Sequence, residues 1–129
     1  VVITATPPAA EAKSDAEWFK LLSVYFDFDA YEVKDIEREK LIENAKWLMQ
    51  NAKDKKIIVE GNCDERGSSE YNLALGAKRA ASLRQFLAEF GLNKDDIQTV
   101  SYGEEKPVHI GDGERIWTKN RRGDFKIKE

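Results

Sequence analysis

Residues 61–80 read GNCDERGSSEYNLALGAKRA and hold the residues best suited to chemistry. Asp64 stands in a turn that Gly67 frees to bend tightly. Arg79 comes two to three turns into the helix that follows. If the turn doubles back along that helix, both side chains reach one cleft at a sheet edge. There Arg79 could hold a carboxylate through two parallel hydrogen bonds while Asp64 accepts from an ammonium. The pair would suit the zwitterionic head group of an amino acid. The same spacing also permits a plain structural ion pair, worth about 0–1 kcal/mol if exposed.

Two neighbouring groups are weaker candidates. Glu65 and Arg66 flank Asp64, but adjacent loop residues point apart, and a loop ordered by local hydrogen bonds accounts for DERG without acid–base catalysis. KNRRGD, residues 119–124, carries three positive charges. One of its arginines is expected to face the sheet end and the other solvent. On a chain of formal charge −3 and pI about 5.4, that cluster does not make a nucleic-acid surface. Tyr25, Phe26, Phe28 and Tyr31 have no basic residues interleaved for base stacking.

The rest of the composition narrows the chemistry further. Cys63 is the only cysteine and His109 the only histidine, so an intrachain disulfide and a CxxC site are excluded, and zinc or Ser/His catalysis lacks its usual residues. No metal or cofactor is implied, and no nucleophile–base pair or phosphate loop points to an enzyme. No apolar run approaches the roughly 20 residues of a membrane span, and no secretory signal opens the chain.

The elements that must position Asp64 and Arg79 follow from periodicity. Residues 1–15, with adjacent Pro7 and Pro8, read as a flexible Ala/Pro-rich linker. Residues 16–129 form the domain. AEWFKLL, 16–22, is read as a helical turn on its edge. SVYFDFD, 23–29, alternates as a strand. Ile36, Leu41, Ile42, Ala45, Leu48, Met49 and Ala52 mark an amphipathic helix from Lys34 to Asn51. Lys55–Glu60 holds a short buried strand. A second helix starts between Ser68 and Asn72, buries Leu75, Ala80, Leu83, Phe86, Leu87 and Phe90, and stops at Gly91. Strands follow at 97–102 and 124–128, separated by a loop in which Trp117 anchors a helical turn. The expected fold is α+β, in the order β-α-β-α-β-β, with two main helices on one face of a small mixed four-stranded sheet.

VYFDFDAY, IIVEGNCDERGSSEYNLALGAKRA, VSYGEEKP and WTKNRR, in this order, resemble the OmpA-like peptidoglycan-binding domain, and within it the peptidoglycan-associated lipoprotein branch. The similarity runs from about Val24 to Ile127. The resemblance implies noncovalent binding of the peptidoglycan stem peptide through the free end of meso-diaminopimelate, which carries an ammonium and a carboxylate on one carbon. It places the ligand Asp on Asp64, the ligand Arg on Arg79 and a ligand Asn on Asn72. It places a loop giving backbone contacts on Phe28, Asp29 and Ala30, and a rim contact on Arg121. Loss of the Asp64 or Arg79 side chain is then expected to abolish binding and leave the fold intact. The family commonly has His where Asn62 stands.

The branch further implies a domain at the periplasmic face of the outer membrane, tethered through a lipid anchor upstream of the linker, with this chain a soluble fragment. It also implies a second reading, as a protein-interaction module of the periplasmic Tol-Pal system.

Overall fold

Apolar residues at helical and strand spacing here build two layers around one core. The structure is a computed structural model and describes residues 21–128. The linker expected over 1–15, and all of the 16–22 turn except Leu21 and Leu22, lie outside the described residues.

Helix α1, Asp35–Asn51, opens with Asp35 and Glu37 in its first turn, where carboxylates favour the positive end of the helix dipole. Its buried face is Leu41, Asn44, Ala45 and Leu48. The buried Asn44 amide is satisfied by backbone: its Oδ1 accepts from Leu22 N at 2.8 Å and its Nδ2 donates to Leu22 O at 2.7 Å, pinning the entering chain. The expected stripe was too wide. Ile36 is 78% exposed and Met49 is also exposed, because both project away from the Leu41–Ala45–Leu48 row. Helix α2, Ser69–Phe90, is capped by Ser68, whose Oγ accepts from Tyr71 N at 3.0 Å, and it stops at Gly91, whose φ of 136° suits only glycine.

The sheet has the order β1-β4-β2-β3. Its strands are β1 (Val24–Tyr25), β2 (Lys56–Asn62), β3 (Ile97–Gly103) and β4 (Arg122–Lys128). β2 and β3 run parallel, so α2 must carry the chain from one end of β2 back to the start of β3. β4 pairs antiparallel with both β1 and β2. Ile57, Val59, Phe125, Ile127 and Ile97 meet Leu41, Ala45, Leu48, Ala80, Leu83 and Leu87 in the core. The architecture is therefore the expected α+β mixed sheet, with a short third helix, α3 (Glu114–Asn120), forming around Trp117.

Two strand boundaries differ from expectation in ways that shape the site. The first strand ends at Tyr25 rather than Asp29. Phe26 still exchanges a hydrogen bond with Arg121, but the chain then turns, with Ala30 N donating to Asp27 O and Asp29 at φ 58°. Phe26 stays buried while Phe28 is 57% exposed. β2 runs on past Glu60 to Asn62 because its pairing with β3 continues there, and Gly61 lets α2 come close: a Cβ on Gly61 would lie 1.8 Å from the carbonyl oxygen of Gly76.

On the other sheet face the Glu60 carboxylate is buried, 3.3 Å from Lys126 Nζ. Burial pushes its pKa up from the ordinary value, against the opposing charge of Lys126.

Candidate functional site

The chain leaves β2 into a loop fastened at several points. Cys63 N donates to Gly103 O at 2.8 Å, and Cys63 Sγ donates to Asn72 O at 3.3 Å. Arg66 N donates to Asp64 Oδ1 at 2.9 Å, closing the local turn expected of DERG. Gly67 then takes φ 96° to reach the Ser68 cap. Asn72 Nδ2 donates to Arg66 O at 2.9 Å and to Glu104 Oε1 at 2.6 Å, tying the loop, the helix and the end of β3 together.

Asp64 and Arg79, 15 residues apart in sequence, do line one recess. Its walls are Phe28, Asp29, Cys63, Asp64, Arg66, Gly67, Tyr71, Asn72, Leu75 and Arg79, and it encloses about 80 Å³. That is small beside the ~300–1,000 Å³ of drug-sized pockets. Both polar anchors are deeply set: Asp64 is 4% exposed and Arg79 1%.

Arg79 does more than face the recess. Its Nε donates to Ala30 O at 2.7 Å, Nη1 to Asn62 O at 2.9 Å and Nη2 to Asp27 O at 3.0 Å. The guanidinium thus staples the Asp27–Ala30 turn to the end of β2. Of its five N–H donors, these carbonyls take three. Burial pulls its pKa below the usual arginine value, with Cys63 and Asp64 opposing.

Asp64 is equally engaged. Arg66 Nη2 donates to its Oδ2 at 2.8 Å and Arg66 Nε approaches Oδ1 at 3.3 Å. Arg121 Nη1 lies 3.5 Å from Oδ2. Burial pushes the Asp64 carboxyl up, but the side-chain and backbone hydrogen bonds from Arg66 outweigh it, and the pKa falls below the ordinary carboxylate value. Burial pushes the Cys63 thiol up to about 11, so this wall of the recess is neutral.

Of the remaining expected residues, Asn72 lines the recess and is itself buried, and Phe28 and Asp29 form its outer lip. Tyr71 Oη donates to Asp29 Oδ1 across the mouth. Ala30 contributes its carbonyl to Arg79. Arg121 is not at a rim. It is buried behind Asp64, with Nε donating to Phe26 O at 2.9 Å and Nη2 to Glu114 Oε2 at 3.0 Å.

The expected division of Arg121 and Arg122 between sheet and solvent also fails. Arg122 is buried too, because it reaches Asp124 Oδ2 at 2.9 Å and Lys106 O at 3.0 Å. Sequence reasoning missed Arg66 and Trp117 as parts of the site. Arg66 lies flat between the rings of Phe28 and Trp117, 3.9 and 4.0 Å from their centroids. Its spacing of two from Asp64 was the available signal. Among the described residues no group of three or more His, Cys, Asp or Glu could hold a metal ion, and no helix is long and apolar enough to cross a membrane.

Comparison with known proteins gives this geometry its context. The OmpA family matches residues 25–121. The peptidoglycan-associated lipoprotein of Mesorhizobium japonicum is 44% identical over 99 residues, 77% of this chain and 58% of that protein. The protein of the same name from Haemophilus influenzae is 46% identical over 100 residues, 78% of this chain and 65% of that protein. The chain thus spans about three fifths of the length of such relatives.

The crystal structure of the peptidoglycan-associated lipoprotein from Burkholderia pseudomallei superposes with a TM-score of 0.76 at 45% identity, covering 82% of this chain and 89% of that one. The C-terminal domain of Helicobacter pylori MotB shares the fold, at TM-score 0.75 and 21% identity, over 82% of each chain. A match to most of the chain by sequence and by fold places this protein in the OmpA family, similar within it to the peptidoglycan-associated lipoproteins.

Proposed function

We propose that this domain binds peptidoglycan noncovalently and tethers the outer membrane to the cell wall. In this reading it holds the stem peptide through the zwitterionic end of diaminopimelate. Asp64 takes the ammonium, Arg79 offers its two remaining N–H groups to the carboxylate, and Phe28, Asp29, Ala30 and Asn72 shape the walls. The observation that carries it is that two opposite charges, both almost wholly buried, line one recess of about 80 Å³. Relatives named for their association with peptidoglycan support it. The reading needs no catalysis, since holding a zwitterion asks only for fixed charges and a dry wall.

Charge-assisted hydrogen bonds are worth about 1.5–3 kcal/mol each. Asp64→Asn keeps the volume and removes the charge, so it should weaken binding to purified sacculi at least tenfold in a pull-down. Undiminished binding by a folded Asp64→Asn protein would show that the recess is not the peptidoglycan site.

Phe28 and Tyr71, both exposed on the wall of the recess, favour a second reading in which this face docks a periplasmic protein of the Tol system. Calorimetry with a soluble stem peptide ending in meso-diaminopimelate separates the two. Heat and saturation support the first, and their absence supports the second.

A further inference from the structure

Asp64 is the group assigned to a ligand's ammonium, yet in the free domain it already holds a cation. Both of its oxygens accept from Arg66, at 2.8 Å from Nη2 and 3.3 Å from Nε. An incoming ammonium must approach the same two oxygens that Arg66 already engages, in a recess of about 80 Å³ that Arg66 itself helps to wall. Arg66 and the ammonium therefore compete for one carboxylate.

The two arginines on Asp64 are not equally placed to yield. Arg121 is buried, fixed by Phe26 O and Glu114, and its contact to Asp64 is the long one, at 3.5 Å. It stays and supplies a standing counter-charge. Arg66 has a side chain 29% exposed and lies at the mouth. Glu114 Oε1 is already 3.8 Å from its Nη2, so a second carboxylate stands ready to receive the guanidinium when it leaves Asp64. What holds Arg66 inward, besides Asp64, is its place between the Phe28 and Trp117 rings. Trp117 is itself fixed by a hydrogen bond from Nε1 to Glu65 Oε2 at 3.0 Å.

We infer that Arg66 is a built-in competitor for the ligand's ammonium, held over Asp64 by the Phe28–Trp117 stack, and that its displacement sets the affinity of the site. The inference rests on the zwitterion reading of the recess and adds an affinity-setting residue to it. A ligand end with an ammonium can replace what Asp64 loses. An end whose amine is acetylated cannot, so displacing Arg66 would leave Asp64 without a cation from the ligand. Arg66 does not serve to bind the ligand; its removal should help binding.

The experiment is calorimetry of the domain with a soluble stem peptide ending in meso-diaminopimelate, and with the same peptide acetylated on the free amine. Arg66→Gln keeps length and planarity and removes the charge. It should bind the free-amine peptide about five- to tenfold more tightly than the parent, while the acetylated peptide, which offers Asp64 no cation, should stay the weaker ligand of both proteins. Trp117→Leu leaves Arg66 in place but removes one face of its stack, and it should tighten binding by a smaller factor, so the inference does not depend on one variant folding.

If the parent binds and folded Arg66→Gln binds equally or more weakly, Arg66 organises the site and the inference is overturned while the zwitterion reading stands. If neither protein binds the free-amine peptide, both fall.

Discussion

At the scale of single residues, Arg79 has a structural task that the sequence did not suggest, beside the binding role proposed for it. Its separation from Asp64 pointed to a shared cleft, and the recess bears that out. What spacing could not show is that three of its donors hold backbone carbonyls of Asp27, Ala30 and Asn62. Those acceptors come from a turn 49 or more residues away and from a strand end, and only the assembled fold brings them within reach.

The expectation that Arg79 could be removed without harm to the fold is therefore replaced. A lysine has one ammonium in place of a planar fork and cannot satisfy three diverging carbonyls. Arg79→Lys should lose about 2–4 kcal/mol of stability, read as a lower urea midpoint at unchanged slope, together with binding. A midpoint within experimental error of the parent would mean that the three contacts contribute nothing net. Asp64→Asn is the cleaner probe of recognition, because the asparagine Oδ1 can still accept from Arg66 N and keep the turn that Asp64 closes. Arg66 was invisible as a site residue for a related reason. A guanidinium two positions from a carboxylate in a loop reads as a solvated pair, and only the rings of Phe28 and Trp117, 38 residues back and 51 ahead, hold it in the recess wall.

At the scale of elements, the site depends on how closely α2 lies on β2. Gly61 and Gly76 face each other with no room for a methyl group on Gly61, and a Cβ on Gly76 would lie 2.3 Å from Ser101 Oγ. Arg79 sits one turn beyond Gly76, so any lift of the helix carries the guanidinium away from its carbonyls. The two positions should differ. Ser101 Oγ is a side-chain atom that can rotate, whereas the Gly76 carbonyl is helix backbone that cannot.

Gly61→Ala should thus cost about 3 kcal/mol, at the upper end of overpacking penalties, and abolish sacculus binding, while Gly76→Ala costs less. Equal stability losses in the two variants, measured by thermal melts, would contradict this account of the contact. The helices, their caps at Ser68 and Gly91, and the strands expected at 55–60 and 97–102 were legible, up to their last residues, because each carries its own periodic or punctuating signal. The early end of β1 was not. SVYFDFD alternates as well as any strand, but Arg121 supplies the last pairing at Phe26, and beyond it no neighbouring strand remains. Strand order was equally silent, since it is set by β4 entering between β1 and β2 from the far end of the sequence.

At the scale of the whole molecule, a formal charge of −3 spread over a chain that is 35% charged gives no single-sign field to gather a ligand from a distance. Recognition then has to come from charges fixed inside the recess. The Debye length falls from about 14 Å at 50 mM salt to about 6 Å at 300 mM, and this weakens exposed pairs far more than buried ones. With Asp64 and Arg79 almost fully enclosed, raising salt across that range should lower affinity for the stem peptide by less than about threefold in calorimetry. A domain that gripped the wall through surface lysines and arginines, as a polyanion binder does, would lose affinity steeply and linearly in the logarithm of salt. A tenfold or larger loss would therefore move the binding energy out of the recess and onto the surface, and with it the role assigned here to the two buried charges. Arg66 sharpens the same test: as a partly exposed competitor it is the one member of the site whose hold on Asp64 salt loosens, which further flattens the dependence expected of the parent protein relative to Arg66→Gln.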